Sequence, residues 1–225
     1  MACAAAAGER PPMYTVAINP EKVMRARREP SLRPVLEGAG LRVPDGVGVV
    51  LASRLRGGRV RERVTGIDLM LAVAEEAARR GWPVYLLGAA PGVAERAADA
   101  LVRRFPGLRV AGTGDGYFRG RDAEVCERVR RSGARVLFLA LGSPAQEYWL
   151  SAHLAETGCR LGMGVGGSFD VLAGRTARAP AWMRRLGLEW LHRLLREPAR
   201  YRRMLVLPVF LLLALAERRP AASRP

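Results

Sequence analysis

The chain has 225 residues, enough for one substantial domain with an appendage but short for two full domains. Because 49% of the residues are hydrophobic, the composition excludes an intrinsically disordered protein. The formal net charge is +16. About nine of these positive charges lie after residue 174, where the sequence has twelve Arg and three Glu. This concentration of positive charge predicts an anionic partner such as membrane phosphate or nucleic acid.

The first residues of the chain lack the features of a secretory signal. Residues 1–12 contain neither a basic region nor a long apolar run, so we expect a disordered N-terminal tail. The three cysteines (Cys3, Cys126 and Cys159) are scattered, and no Cys/His motif is present. The sequence therefore predicts reduced thiols and no metal site.

Short apolar runs alternate with helical patterns from residue 13 to residue 175. The apolar runs are MYTVAI, LRV, PVYLLGA, LRVAGTG, ARVLFLALG and RLGMGV, and each is bounded by Gly, Pro or a polar turn. This alternation predicts an α/β core with a mostly parallel sheet covered by helices on both faces. In such folds ligands bind at the carboxyl ends of the strands.

Glycine-rich loops and carboxylates follow several of the predicted strands. The loop GVGGSFD combines three glycines with Asp170, and LLGAAPG opens a helix whose N–H groups suit a phosphate. Asp45 lies in the turn VPDGVG, whereas Asp68 in TGIDL is also explained as a helix-capping acid. The loop LLGAAPG lacks the GxGxxG spacing, which disfavours a nicotinamide oxidoreductase, and no DxD pair or P-loop is present, so Arg and backbone N–H groups would have to neutralise a bound diphosphate.

Seven motifs occur in the order of a known enzyme family. They are RVPDGVGVV, RVTGIDL, YLLGAAPGVAERAA, GYF, LGSPAQEYW, GVGGSFDVLAGRTARAP and GLEWLHRLLREPARYRRM. In these motifs the chain resembles the WecG/TagA/CpsF glycosyltransferases from about residue 16 to residue 204. The resemblance implies a Rossmann-like fold and inverting transfer of N-acetylmannosamine or a related sugar from a UDP-sugar, without metal or cofactor. The implied acceptor is an undecaprenyl-diphosphate-linked sugar used in cell-surface polysaccharide or teichoic acid synthesis.

The resemblance also implies roles for individual residues. Asp45 would be the general base and Arg63 would stabilise the leaving diphosphate. Contacts to the UDP-sugar would come from Asn19, Gly46, Thr65, Gly66, Asp68, Gly88, Tyr117, Gln146, Glu147, Gly166, Gly167 and Asp170, and contacts to the acceptor diphosphate from Arg193, Arg200 and Arg203. Ala17 occupies a position where the family often has Thr, and helix capping is an alternative explanation for Gln146 and Glu147.

The C-terminal part is basic and apolar. Residues 176–217 predict a helical appendage, followed by a tail at 218–225. The run MLVLPVFLLLALA has thirteen residues, too few for a spanning helix of about twenty, so we expect it to lie on or dip into a bilayer. For the apolar residues that precede this run, a lipid-facing side is expected and packing against the core is the alternative; they are Trp182, Leu186, Trp190, Leu191, Leu194 and Leu195.

These features predict a peripheral protein on the inner face of the cytoplasmic membrane. The resemblance leaves a homo-oligomer open. A basic nucleic-acid-binding α/β protein is the second interpretation of the charge, but no helix-turn-helix, zinc finger or RNA-binding motif supports a nucleic-acid partner.

Overall fold

The computed structural model describes residues 2–7, 11–196 and 206–216. The strands are β1 (Met13–Ile18), β2 (Leu41–Pro44), β3 (Val84–Gly88), β4 (Val110–Gly114), β5 (Val136–Ala140) and β6 (Leu161–Gly164). The helices are α1 (Ala2–Ala7), α2 (Pro20–Arg28), α3 (Leu32–Glu37), α4 (Val47–Leu55), α5 (Gly66–Arg80), α6 (Val93–Arg104), α7 (Asp122–Arg131), α8 (Ala145–His153), α9 (Ser168–Leu172), α10 (Ala181–Arg185), α11 (Glu189–Arg196) and α12 (Val206–Ala216).

The six strands form one sheet in the order β2-β1-β6-β5-β3-β4. Each neighbouring pair runs parallel, which confirms the predicted α/β class with a parallel sheet. Because the strands share one direction, their carboxyl ends meet at a single edge. Most loops that carry predicted site residues begin at that edge, whereas Arg63 and Thr65 lie in the connection from α4 to α5. The Val64 N–H of this connection donates to the carbonyl of Pro44 at the end of β2.

Both faces of the sheet are covered by helices, as the continuous apolar strands predicted. On β5, Phe138 packs with residues of α1, α5, α6 and α9, whereas Leu137 and Leu139 pack with residues of α7 and α8 on the opposite face. This alternation follows from the two-residue period of a strand. A strand buried on both faces must be apolar at every position, as the run VLFLA is.

Two helices, α2 and α5, begin next to residues whose side chains cap them. Asn19 Oδ1 accepts a hydrogen bond from the N–H of Lys22 at 2.8 Å, and Pro20 occupies the first turn of α2. Thr65 caps α5 by accepting from the N–H of Asp68 at 3.2 Å. The caps fix how the chain leaves the sheet edge at these two loops.

The N-terminal segment differs from the predicted disordered tail. Residues Ala2–Ala7 form α1, and Ala5 and Ala6 are fully buried in the core cluster that contains α5 and α6. Alanine side chains are small enough to let this helix approach its neighbours closely, and their burial favours order. Helix α3 was not predicted either, and its Leu32 and Leu36 pack against Val16 of β1.

The apolar C-terminal run forms α12, which packs against α2 and α4. Phe210 and Ala214 are buried in a cluster with Met24 and Ala52. A side chain at Gly48 of α4 would overlap Leu207, so glycine permits this contact. One face of α12 therefore covers the core, and its association with a membrane stays a prediction.

The opposite face of α12 is exposed at Val209, Leu212 and Leu215. Among the residues that the structure describes, no helix combines the length and hydropathy needed to cross a membrane.

Candidate active site

A cavity of about 330 Å³ lies at the carboxyl edge of the sheet. Its wall is formed by the loops that follow β1, β2 and β6, by the start of α5 and α8, and by α11 and α12 of the C-terminal appendage. The sequence-predicted residues in this wall are Asn19, Asp45, Gly46, Arg63, Thr65, Gly66, Gln146, Gly166 and Gly167. The fold therefore gathers, at one concave site, groups that are up to 148 residues apart in the chain, between Asn19 and Gly167.

Asp45 is placed at the cavity by the end of β2. Its backbone N–H donates to the carbonyl of Ile18 at 2.7 Å, which joins the ends of β2 and β1. The next residue, Gly46, has φ of +106°, a conformation that favours glycine. This turn sends the chain directly into α4 and leaves the Asp45 carboxylate in the cavity wall.

Arg63 is held by a carboxylate of the appendage. Its Nη2 donates to Glu189 Oε2 at 2.8 Å, and both side chains are largely buried. Arg178 lies 3.9 Å from the other oxygen of Glu189 and donates to Asp68 Oδ1 at 2.5 Å. The other oxygen of Asp68 accepts from Thr65 Oγ1 at 2.5 Å. This network ties α11 to the start of α5 across the cavity.

A second network lies in the cavity wall beneath the glycine loop. Gln146 is buried; its Oε1 accepts from the N–H of Gly166 at 3.0 Å, and its Nε2 donates to Glu147 Oε1 at 3.0 Å. Lys22 Nζ pairs with the same oxygen of Glu147 at 2.7 Å and donates to the carbonyl of Ala17 at 2.8 Å. The second carboxylate oxygen of Glu147 is buried without a hydrogen-bond partner.

Five predicted donor contacts do not line the cavity. These are Asp68, Gly88, Tyr117, Glu147 and Asp170. Asp68 and Glu147 serve the two networks described above. Gly88 is packed so tightly that a side chain there would overlap the backbone of Ala140, whereas Tyr117 is 70% exposed. Their roles in donor binding remain predictions.

Asp170 lines a smaller neighbouring cavity of about 150 Å³. This cavity also contains Arg178, His192 and Arg196, and it shares Glu189 with the larger one. Asp170 Oδ1 lies 3.8 Å from Arg175 Nη1. The smaller cavity thus combines two guanidinium groups of the appendage, Arg178 and Arg196, with the carboxylates of Asp170 and Glu189.

The predicted acceptor residues are only partly described. Arg193 belongs to α11, but nothing is described of its side chain. Arg200 and Arg203 lie outside the described residues. Their contact with an acceptor diphosphate remains a prediction.

The fold brings together a Cys/His/Glu group that the sequence motifs did not indicate. Ligand atoms of Cys126, His153 and Glu156 lie within 4.8 Å of one another, on α7 and at the end of α8, and none of the three lines either cavity. Burial raises the pKa of the Cys126 thiol to about 12, with a smaller contribution from Glu156. Metals bind the thiolate, so a metal would have to displace this proton. The expectation that the chain needs no metal remains a prediction.

Sequence reasoning missed several residues in the cavity wall. They are Lys22, Ser143, Ser168, Glu189 and Trp190. Lys22 is the only lysine among 37 basic residues, and that peculiarity was the one available signal. The pairing of Glu189 with Arg63 spans 126 residues and has no local signature.

Two curated relatives resemble the chain over most of its length. The chain is 36% identical over 210 residues to an N-acetylglucosaminyldiphosphoundecaprenol N-acetyl-beta-D-mannosaminyltransferase of Bacillus spizizenii, with 93% of this chain and 81% of the relative covered. It is also 36% identical over 203 residues to the protein of that name from Bacillus subtilis, with 89% and 78% covered. The model of the glycosyl transferase WecG/TagA/CpsF family matches residues 1–224. The chain is therefore an enzyme of the WecG/TagA/CpsF glycosyltransferase family.

Proposed function

We propose that the enzyme transfers N-acetylmannosamine, or a related sugar, from a UDP-sugar to an undecaprenyl-diphosphate-linked acceptor sugar. The observation that carries this proposal is the single cavity that joins Asp45, Arg63 and the Gly166–Gly167 turn. The names of the two Bacillus relatives, which state the transferred sugar and the acceptor, support the choice of both. The product would serve the synthesis of a cell-surface polysaccharide or teichoic acid.

Asp45 is the proposed general base. A sugar hydroxyl is a weak nucleophile, and a carboxylate that accepts its proton during attack accelerates transfer by roughly 10²–10⁴-fold. A single displacement requires this base on the face of the sugar opposite the leaving UDP, and it inverts the anomeric centre. The turn at Gly46 leaves room beside the carboxylate for the incoming hydroxyl.

Arg63 is the proposed cation for the leaving diphosphate. A guanidinium can donate two parallel hydrogen bonds to phosphate oxygens, which suits a site that works without metal. Glu189 accepts a hydrogen bond from Arg63. A bound diphosphate would therefore compete with Glu189 for this guanidinium.

The acceptor would enter from the side of the appendage. Arg178 and Arg196 line the smaller cavity, and Arg193 lies on the same helix as Arg196. Exposed apolar side chains occur on α12 at Leu212 and Leu215 and on α10 at Trp182. These surfaces support a peripheral position on the inner face of the membrane, where a polyprenyl chain could remain in the bilayer while its diphosphate reaches the cavity.

An activity assay tests the proposal directly. UDP release should depend on a short-chain polyprenyl-diphosphate-N-acetylglucosamine acceptor and should continue in excess EDTA. A panel of UDP-sugars would identify the donor. Loss of turnover on addition of EDTA would contradict the metal-independent mechanism, and release of UDP at the same rate without acceptor would contradict the transfer.

A liposome experiment tests the membrane part separately. The full chain should bind anionic vesicles, and a chain ending before Arg178 should lose both vesicle binding and turnover on the lipid acceptor. An unchanged rate for the shortened chain would contradict a role of the appendage. Tight binding to DNA without binding to vesicles would favour the nucleic-acid interpretation of the charge.

A further inference from the structure

The only lysine of the chain is buried at the proposed active site. Lys22 is 6% exposed although the other 36 basic residues of the sequence are Arg. An ammonium group is compact and donates in three directions, whereas a guanidinium is planar and larger. The position of Lys22 therefore demands a small buried cation, in a chain that otherwise uses arginine.

The contacts of Lys22 explain this demand. One hydrogen bond reaches the carbonyl of Ala17 near the end of β1, and an ion pair reaches Glu147 on α8. Glu147 is 2% exposed, so its carboxylate would be a costly buried charge without the ammonium. Lys22 thus joins β1, α2 and α8 beneath the cavity.

The ion pair also determines which way the neighbouring amide points. Gln146 donates to the same carboxylate oxygen that accepts from Lys22, so its Nε2 must face Glu147. Its Oε1 then faces the loop after β6 and accepts from the N–H of Gly166. If Glu147 were neutral, it could itself donate a hydrogen bond, and only the Gly166 N–H would still favour this orientation.

The glycine loop depends on that amide. Gly166 has φ of +49°, and a side chain at Gly164 would overlap Gln146, so loop and amide are in close contact. We propose that Lys22 is a positioning residue: through Glu147 it fixes the amide of Gln146 and thereby holds the Gly166–Gly167 turn in its donor-binding shape. Lys22 acts through its neighbours and needs no contact with the substrate.

Hydrogen exchange at two adjacent amides tests this inference without any assay of turnover. The Val165 N–H donates to Leu139 of β5, whereas the Gly166 N–H donates to Gln146. In Lys22→Met we expect the Gly166 amide to exchange about tenfold faster, with Val165 changed much less. Val129→Ala, a buried change on α7 in the core cluster on the opposite face of the sheet from Val165, is the control for general destabilisation.

A double variant keeps the test valid if Lys22→Met fails to fold. Lys22→Met/Glu147→Gln removes both buried charges and should recover the thermal stability. The Gly166 amide should nevertheless exchange faster than in the wild type, because a Gln at position 147 can either donate to or accept from Gln146. Wild-type exchange at Gly166 in the double variant, or equal acceleration at Val165 and Gly166, would overturn the inference.

A titration with UDP connects the inference to the proposed function. The double variant should bind UDP about tenfold more weakly than the wild type, while Val129→Ala should bind it normally. This arm rests on the proposed function, whereas the exchange arm does not. Faster exchange at Gly166 with unchanged UDP affinity would support the positioning role and place the donor elsewhere.

Discussion

The two halves of the sheet edge differ although every strand ends there in the same direction. The loops after β1, β2 and β6 surround a cavity, whereas the loops after β3 and β4 lie against each other. The N–H of Gly116 donates to the carbonyl of Ala89, whose own N–H donates to Ala140. The open half carries Asp45 and Arg63, and the closed half carries Asp115 and Arg96 at comparable positions near a glycine turn.

Glycines have opposite roles in the two halves. A side chain at Gly88, in the closed half, would overlap the backbone of Ala140, so glycine there permits close packing. A side chain at Gly167, in the open half, would meet no atom within 4 Å and would point into unfilled space. Gly88 therefore permits close packing in one half, whereas Gly167 borders open space in the other.

The largest expected effect is a difference in turnover between substitutions of two aspartates, Asp45 and Asp115, that each follow a strand. Asp45→Asn should lower turnover by roughly 10²–10⁴-fold with UDP affinity retained, because it removes the proposed base without changing the shape of the turn. Asp115→Asn is the control, since the Asp115 carboxylate accepts from the N–H of Tyr117 outside the cavity. Steady-state rates and UDP titrations of the two variants measure turnover and UDP affinity. Undiminished turnover in Asp45→Asn would show that Asp45 is not the general base.

A somewhat smaller effect is expected for the cation of the open half. Arg63→Gln should lower kcat by about 10²-fold, the usual cost of losing one donor to developing negative charge. Arg96→Gln in the closed half should leave kcat within about twofold, because surface changes remote from a site have small effects. Equal losses in the two variants would show that general charge, and not the position of Arg63, matters.

The glycine pair sharpens the comparison by separating stability from binding. Gly167→Ala should leave the melting temperature unchanged or raise it, and should weaken UDP binding about tenfold because the added methyl group occupies the cavity. Gly88→Ala should lower the free energy of unfolding by about 2–5 kcal/mol, from its φ of +122° and the overlap with Ala140. Weaker UDP binding in Gly88→Ala together with a loss of stability in Gly167→Ala would contradict this assignment of the two halves.

The smallest effect is expected on a surface outside both halves. Hydrogen bonds from Arg79 and Arg80 lower the pKa of Glu76 from 4.5 to about 2. Because the folded-state pKa is lowered, this contribution to stability is complete above about pH 4.5 and is lost as the pH falls toward 2. The stability difference between wild type and Glu76→Gln should therefore shrink over that range, and a constant difference would contradict this origin.

Much of the fold was predictable because its signals are local. The apolar runs bounded by Gly and Pro predicted the strands, and their alternation with helical patterns predicted the parallel sheet. The burial of α1 was not predictable, since an alanine run carries no periodic pattern that distinguishes a packed helix from a tail.

The candidate site was predictable only where a motif carried it. Asp45, Arg63 and Gln146 came from the resemblance and line one cavity. Two ion pairs at the site were missed, Arg63 with Glu189 and Glu147 with Lys22, because the partners are far apart in the chain and only the packing brings them together. Gly88 was predicted to contact the donor because glycine after a strand suits both close packing and ligand approach, and the sequence does not distinguish the two.

If the enzyme acts as proposed, the UDP moiety of the donor binds in the open half of the sheet edge. Amide hydrogen exchange in the presence and absence of saturating UDP measures this most directly. Binding of UDP should slow amide exchange at Gly46, Gly166 and Gly167, because the backbone of these three residues lies in the cavity wall. Unchanged exchange at these three amides, with slower exchange at residues 88–92 instead, would contradict it.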